Sequence, residues 1–130
     1  MNIVEQINKF EEWFFQSDYD LGTAEYMLQS ERNVYCVFMC HLSLEKALKG
    51  LYFKRTNEIP PKLHNLLYFV NRLNLILSES DSLFIVTINN LSIATRYPED
   101  LRKMMTTIST KQVSEIFQQT KSVQQWIKQQ

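Results

Sequence analysis

Glycine and proline are scarce, two and three respectively in 130 residues. So few turn formers exclude an all-β sandwich, which needs a turn signal every ~8–12 residues. Two glycines also leave no material for a glycine-rich phosphate loop. Charge of one sign is missing too: fourteen Lys and Arg balance fourteen Asp and Glu. That balance excludes a protein that coats nucleic acid through net charge. No apolar run approaches the ~18 residues of a membrane span; the longest extends from Val34 to Cys40. The opening stretch MNIVEQINKFEEW breaks its apolar positions with charge and lacks a signal-peptide core, so a cytoplasmic protein with no membrane partner is expected. Cys36 and Cys40, four apart, share a helix face but not disulfide geometry, and free thiols are expected. His41, Glu45 and Cys40 lie close together without further metal ligands, and neither a Cys-x-x-Cys pair nor a GxSxG elbow occurs. No metal or cofactor is expected.

What the chain has in quantity is apolar surface: 45% hydrophobic and 12% aromatic residues. That is ample for the core of one domain spanning residues 1–130. Charge is distributed unevenly along it. Residues 1–31 hold seven acids and one base, leaving thirteen bases and seven acids for the rest. Such asymmetry reads either as an interaction signal or as an acidic first helix packed beside a basic second one.

Hydrophobic spacing is helical throughout. Ile3, Ile7, Phe10, Phe14, Leu21, Ala24 and Leu28 form one stripe, with Ser17 in the skipped position and Gly22 just beyond, where a bend is allowed. From Val34 to about Arg55 three stripes coexist. Val34, Val37, His41, Leu44, Leu48 and Leu51 make the first; Phe38, Leu42, Glu45, Lys49 and Tyr52 the second. Cys36, Cys40, Ser43, Ala47 and Gly50 make a third of small residues, suited to close approach by a neighbouring helix or a second copy of the chain. A helix apolar on most sides is central. After Pro60 and Pro61, Leu63, Leu66, Leu67, Val70 and Leu73 predict a short third helix, with His64 one turn in. Ser78–Asp81 resembles a cap before a fourth helix. Its stripes are Leu83, Val86, Ile93 and Tyr97, with Phe84, Ile88 and Leu91 beside them, and Pro98 is expected to end it. Ser109 and Gln112 match a capping box before a last helix carrying Val113, Ile116, Phe117, Thr120, Val123 and Ile127. The expected fold is all-α: an up-and-down antiparallel helical bundle of four long helices plus one short helix.

Ionisable residues on inward stripes are candidates for chemistry, because burial is costly unless they are paired or used. Glu45 and Lys49 stand in the favourable i,i+4 order and read either as a structural ion pair or as the lining of a polar pocket. His64 suits a bond to a loop carbonyl, or the role of general base. Arg96 and Tyr97 lie in the run ATRYPED. The helix macrodipole alone favours a cation there by about 0.3–1 kcal/mol. Arg is also the residue for bidentate phosphate binding, and Tyr offers a stacking face.

Together these runs resemble the HEPN family (higher eukaryote and prokaryote nucleotide-binding domains). The resemblance rests on Trp13, Asp20 and Leu21; on HLSLEKALKGLY with Glu45, Lys46, Ala47, Leu48 and Lys49; on IPPKLHNLL with His64; and on ATRYP with Arg96, Tyr97 and Pro98. It implies a helical bundle, usually homodimeric. Some members are metal-independent endoribonucleases, often toxins or defence effectors, carrying an Arg and, a few residues on, a His. No His follows Arg96 here. Others resemble the non-catalytic helical half of aminoglycoside nucleotidyltransferases and pair with a separate minimal nucleotidyltransferase subunit. The RYP form resembles that second branch. It implies a nucleotide- or partner-binding module in which Glu45, Lys49, His64, Arg96 and Tyr97 line a polar groove. The alternatives are a ribonuclease in which Arg96 steadies phosphorane charge and His64 is the base, with RNA as substrate, and a purely structural helical adaptor.

Overall fold

The computed structural model describes the backbone of residues 3–130 and the side chains of residues 9–130. Six helices follow one another: α1 (Ile3–Gln29), α2 (Asn33–Thr56), α3 (Leu66–Arg72), α4 (Glu79–Ala94), α5 (Pro98–Thr107) and α6 (Thr110–Lys128). Four are long, α3 and α5 are short, and no strand occurs among the described residues. The side chains of Ile3 and Ile7, the first positions of the first stripe, lie outside the described ones.

Helix α2 is the axis of the molecule, as its three stripes require. Val37, Leu44, Leu48 and Leu51 are fully buried on one side, and Cys36, Cys40, Ser43 and Ala47 on another. The small stripe meets α1 rather than a second copy. A Cβ on Gly50 would stand 2.7 Å from the Phe14 ring and 2.9 Å from the Trp13 Cβ, so only glycine admits α1 this closely. The two helices are also stitched together: the Ser17 hydroxyl donates to the Ser43 carbonyl at 2.6 Å, and the Ser43 hydroxyl to the Ser17 carbonyl at 2.8 Å. Each buried hydroxyl thereby finds an acceptor. The skipped position of the α1 stripe is thus a polar contact inside one continuous helix. Cys36 and Cys40 are buried free thiols.

Pairing Phe14 with Gly50 and Ser17 with Ser43 sets α1 antiparallel to α2. Asn33 bonds Thr110 at 3.1 Å and Arg55 bonds the Gln130 carbonyl at 3.3 Å, so α6 runs parallel to α2. Gln119 reaches Asp81 at 3.2 Å near the start of α4, which returns in the opposite sense. The topology is up, down, up, down, with α3 and α5 as short insertions. Acids of α1 pair with bases of its neighbours: Asp20 with Lys46 at 2.8 Å and Asp18 with Lys128 at 2.7 Å.

The structure departs from the sequence reading at four places. His64 precedes α3 instead of lying one turn inside it. The Asn65 carboxamide accepts the Leu67 N–H at 2.9 Å, and this cap fixes the helix start at Leu66. Helix α4 ends at Ala94, short of Pro98. Pro98 opens a further helix, α5, at the first position, where its missing N–H and fixed φ are harmless. Arg96 and Tyr97 therefore occupy the α4–α5 joint. Finally, α4 buries Phe84, Ile85, Ile88, Asn89 and Ser92, while Leu83, Val86, Ile93 and Tyr97 face solvent. The capping box of Ser109 and Gln112 is present with both of its bonds, at 2.8 and 3.1 Å. No helix of the described residues is long and apolar enough to cross a membrane.

Candidate functional site

Midway along α2 an acid is buried inside the bundle. Glu45 is 4% exposed, and both of its oxygens are taken. Oε2 accepts from the Lys49 ammonium at 3.1 Å, one turn on. Oε1 lies 3.0 Å from His64 Nδ1. A carboxylate only accepts, so Nδ1 carries the proton of this bond and Nε2 is turned outward. The His64 side chain is 60% exposed, so that outward nitrogen meets solvent. A buried carboxylate behind an exposed imidazole fixes both the ring's orientation and its tautomer.

Lys49 is 6% exposed. Its ammonium stands 5.9 Å from the ring centroids of both Trp13 and Phe69, close enough for cation–π attraction. Ion pair and aromatic walls together offset the desolvation of the charge. Lys49 is enclosed, and its action is on Glu45.

One turn before Glu45, the His41 imidazole is 1% exposed, with Nδ1 4.0 Å from Glu45 Oε1 and Nε2 without a hydrogen-bond partner among the described residues. Its pKa lies below the ordinary histidine value, chiefly because burial penalises the charged form. Glu45 and the polar edge of Asn89 oppose that shift; the Arg96 charge, and that of His64 whenever its ring is protonated, add to it. Asn89 Oδ1 already accepts the Leu66 N–H at 2.9 Å and keeps one lone pair toward His41. The same side chain donates to Asn65 at 3.3 Å, so α4 clamps the start of α3 and the loop that carries His64.

Three of the five sequence candidates therefore converge: Glu45, Lys49 and His64. Arg96 and Tyr97 are exposed at the α4–α5 joint, and neither bonds Glu45, Lys49 or His64. Arg96 is nonetheless near enough for its charge to be felt at His41, in the same polar core. His41 and Asn89 belong to this cluster although only the first drew notice in the sequence, as half of a metal pair. Among the described residues no group of three or more His, Cys, Asp and Glu is placed to hold a metal. Asn89 carries one legible signal: it falls on the buried α4 face one turn after Ile85, where a polar residue demands a partner.

The fold is that of a known crystal structure. TT1696 from Thermus thermophilus is similar, with a TM-score of 0.80 at 19% sequence identity over 94% of this chain and 98% of that one. At that identity the likeness concerns the fold. No curated protein matches the chain. The HEPN domain model, by contrast, matches residues 10–130, which takes in α1 from Phe10 onward, helices α2 to α6 and all five candidate residues. The chain belongs to the HEPN domain family.

Proposed function

We propose that the chain is a nucleotide-binding module, working as a homodimer and paired with a minimal nucleotidyltransferase subunit. The observation that carries this reading is the carboxylate-backed imidazole of His64, open to solvent at the surface of the bundle. Arg96 and His64 are exposed and contact the phosphate. Tyr97 walls the approach beside Arg96. Glu45 and Lys49 act from beneath by holding His64 in place. HEPN membership supports the reading at the level of a nucleotide-binding helical module. The outward stripe of α4, with Leu83 63% and Ile93 52% exposed, supports the second copy. Exposed apolar side chains gathered on one helix face, broken here by Asn90, mark interaction faces.

Isothermal titration with ATP, GTP and UTP tests the binding role. At least one nucleotide binds, and Arg96→Ala weakens it about tenfold, or ~1.4 kcal/mol. Absence of binding to all three, together with no association with a co-expressed nucleotidyltransferase, overturns the proposal.

The Glu45–His64 bond also favours a second reading, a metal-independent ribonuclease. Neutral His64 would take the 2′-hydroxyl proton through Nε2, and Arg96 would steady the charge developing on phosphate. That reading requires cleavage of single-stranded RNA in EDTA, giving cyclic-phosphate ends that His64→Asn abolishes.

A further inference from the structure

Between α1, the end of α2 and the loop that follows lies a hollow of about 320 Å³. Its size is at the small end for ligand pockets and suits one ring system rather than a helix. Its apolar walls are Trp13, Phe53, Ile59 and Pro60. Phe53 and Pro60 are buried, whereas Ile59 is largely exposed. The loop holding it is pinned at both ends. Asn57 turns left-handed at φ 62° and gives its N–H to Phe53, and Asn65 caps α3. An apolar side chain held over open water by a fixed loop is placed to cover an apolar face.

The polar rim is Lys9, Glu12 and Gln16. Gln16 Nε2 donates to Glu12 Oε1 at 3.0 Å. That bond leaves Glu12 Oε2 and Gln16 Oε1, both acceptors, at one edge of the hollow. No ion pair engages Glu12 among the described residues. Lys9 supplies the opposite character, its ammonium lying 5.9 Å from the Phe53 ring centroid.

The occupant must then be planar with apolar faces, and must bring adjacent N–H donors to a carboxylate and an acceptor to an ammonium. Adenine and cytosine each set a ring-nitrogen lone pair beside their amino group, and uracil flanks its one N–H with two oxygens. Guanine alone of the four bases offers N1–H and the 2-amino group side by side, with O6 next along the same edge. We propose that this hollow binds a guanine ring, stacked on Trp13 and read by the Glu12 carboxylate.

The hollow shares two pieces of structure with the polar cluster. Trp13 lines it and also faces the Lys49 ammonium that holds Glu45. The loop that provides Ile59 and Pro60 also provides His64. A guanine nucleotide seated here sends its phosphate along the loop toward His64. Only that phosphate end rests on the function proposed above; the ring is tested without it.

Trp13 and Trp126 are the chain's two tryptophans, so Trp126→Phe makes Trp13 the single indole reporter. In this background guanosine quenches the fluorescence saturably, and adenosine and cytidine bind about tenfold or more weaker, as expected where a lone pair faces a carboxylate. Exposed Glu12 is replaceable without loss of fold, and Glu12→Gln weakens guanosine about tenfold with an unchanged circular dichroism spectrum. Arg96→Ala weakens GMP and leaves guanosine as it was. Failure of guanosine to quench Trp13 at millimolar concentration overturns the inference, even if GMP binds elsewhere. An equal response to adenosine overturns it too. Saturable guanosine binding with GMP indifferent to Arg96→Ala would keep the guanine site and remove the phosphate role of Arg96. Should Trp126→Phe not fold, equilibrium dialysis of guanosine and adenosine against the unaltered chain gives the same comparison.

Discussion

Lys49 and Glu45 carry the largest electrostatic stakes in the molecule. Each is nearly sealed from water, and each satisfies the other at 3.1 Å. Removing one partner strands a buried charge, at a cost of about 3–5 kcal/mol. Lys49→Met is therefore expected to lower the urea midpoint severely, and Glu45→Leu, which also frees His64, to do likewise. The double variant, with no charge left to bury, recovers most of the loss, and a double-mutant cycle in urea measures the recovery. Additive single effects would show that the pair is not coupled. The i,i+4 spacing made this contact legible in the sequence. Its meeting with His64 was not, because that depends on a loop folding back across 19 residues. Asn89 was hidden for the same reason: its partners, Asn65 and Leu66, lie on another element, and no local periodicity announces a clamp of that kind.

Two glycines on adjoining helices should respond in opposite senses to the same substitution. On Gly22 of α1 a new Cβ meets nothing within 4 Å. Alanine there removes a helix-interior glycine and gains about 0.5–1 kcal/mol. On Gly50 the Cβ would overlap the Phe14 ring and the Trp13 Cβ. Overpacking of this sort costs about 1–3 kcal/mol, which outweighs the propensity gain. Thermal melts of Gly22→Ala and Gly50→Ala separate the two, the first rising and the second falling; a rise in both would mean that α1 does not sit on the small stripe. Long elements were readable because their apolar spacing persists over several turns. Helix α5 was not: Pro98 signals both the end of one helix and the beginning of another. Glu99 and Asp100 behind it favour the second meaning, since acids stabilise a helix N-terminus. Leu101, Met104 and Ile108 behind Pro98 do keep helical spacing and pack on the core, but over fewer than three turns, too short a run to outweigh the proline's reading as a stop.

At the scale of the whole molecule, the division of charge is partly absorbed within the chain, where Lys46 and Lys128 meet Asp20 and Asp18. The apolar face of α4 is not absorbed. Asn89 must turn inward to hold the loop beneath His64, and α4 then buries Phe84, Ile85 and Ile88. A helix 3.6 residues to the turn cannot also bury Leu83, Val86 and Ile93, which emerge on its far side. The clamp that orders the site thus obliges α4 to show an apolar stripe to water. A two-fold axis lying against that stripe would cover it with its own copy, an isologous contact needing no new chemistry. Size-exclusion chromatography with light scattering should accordingly return twice the chain mass. Leu83→Glu with Ile93→Glu puts two like-charged pairs into that contact and should yield a monomer, with helical circular dichroism unchanged because both side chains are outside the core. Tyr97 ends the same stripe beside Arg96, so the monomer should also bind nucleotide more weakly. A wild-type chain that runs as a monomer, or a charged variant that remains dimeric, removes α4 as the shared face.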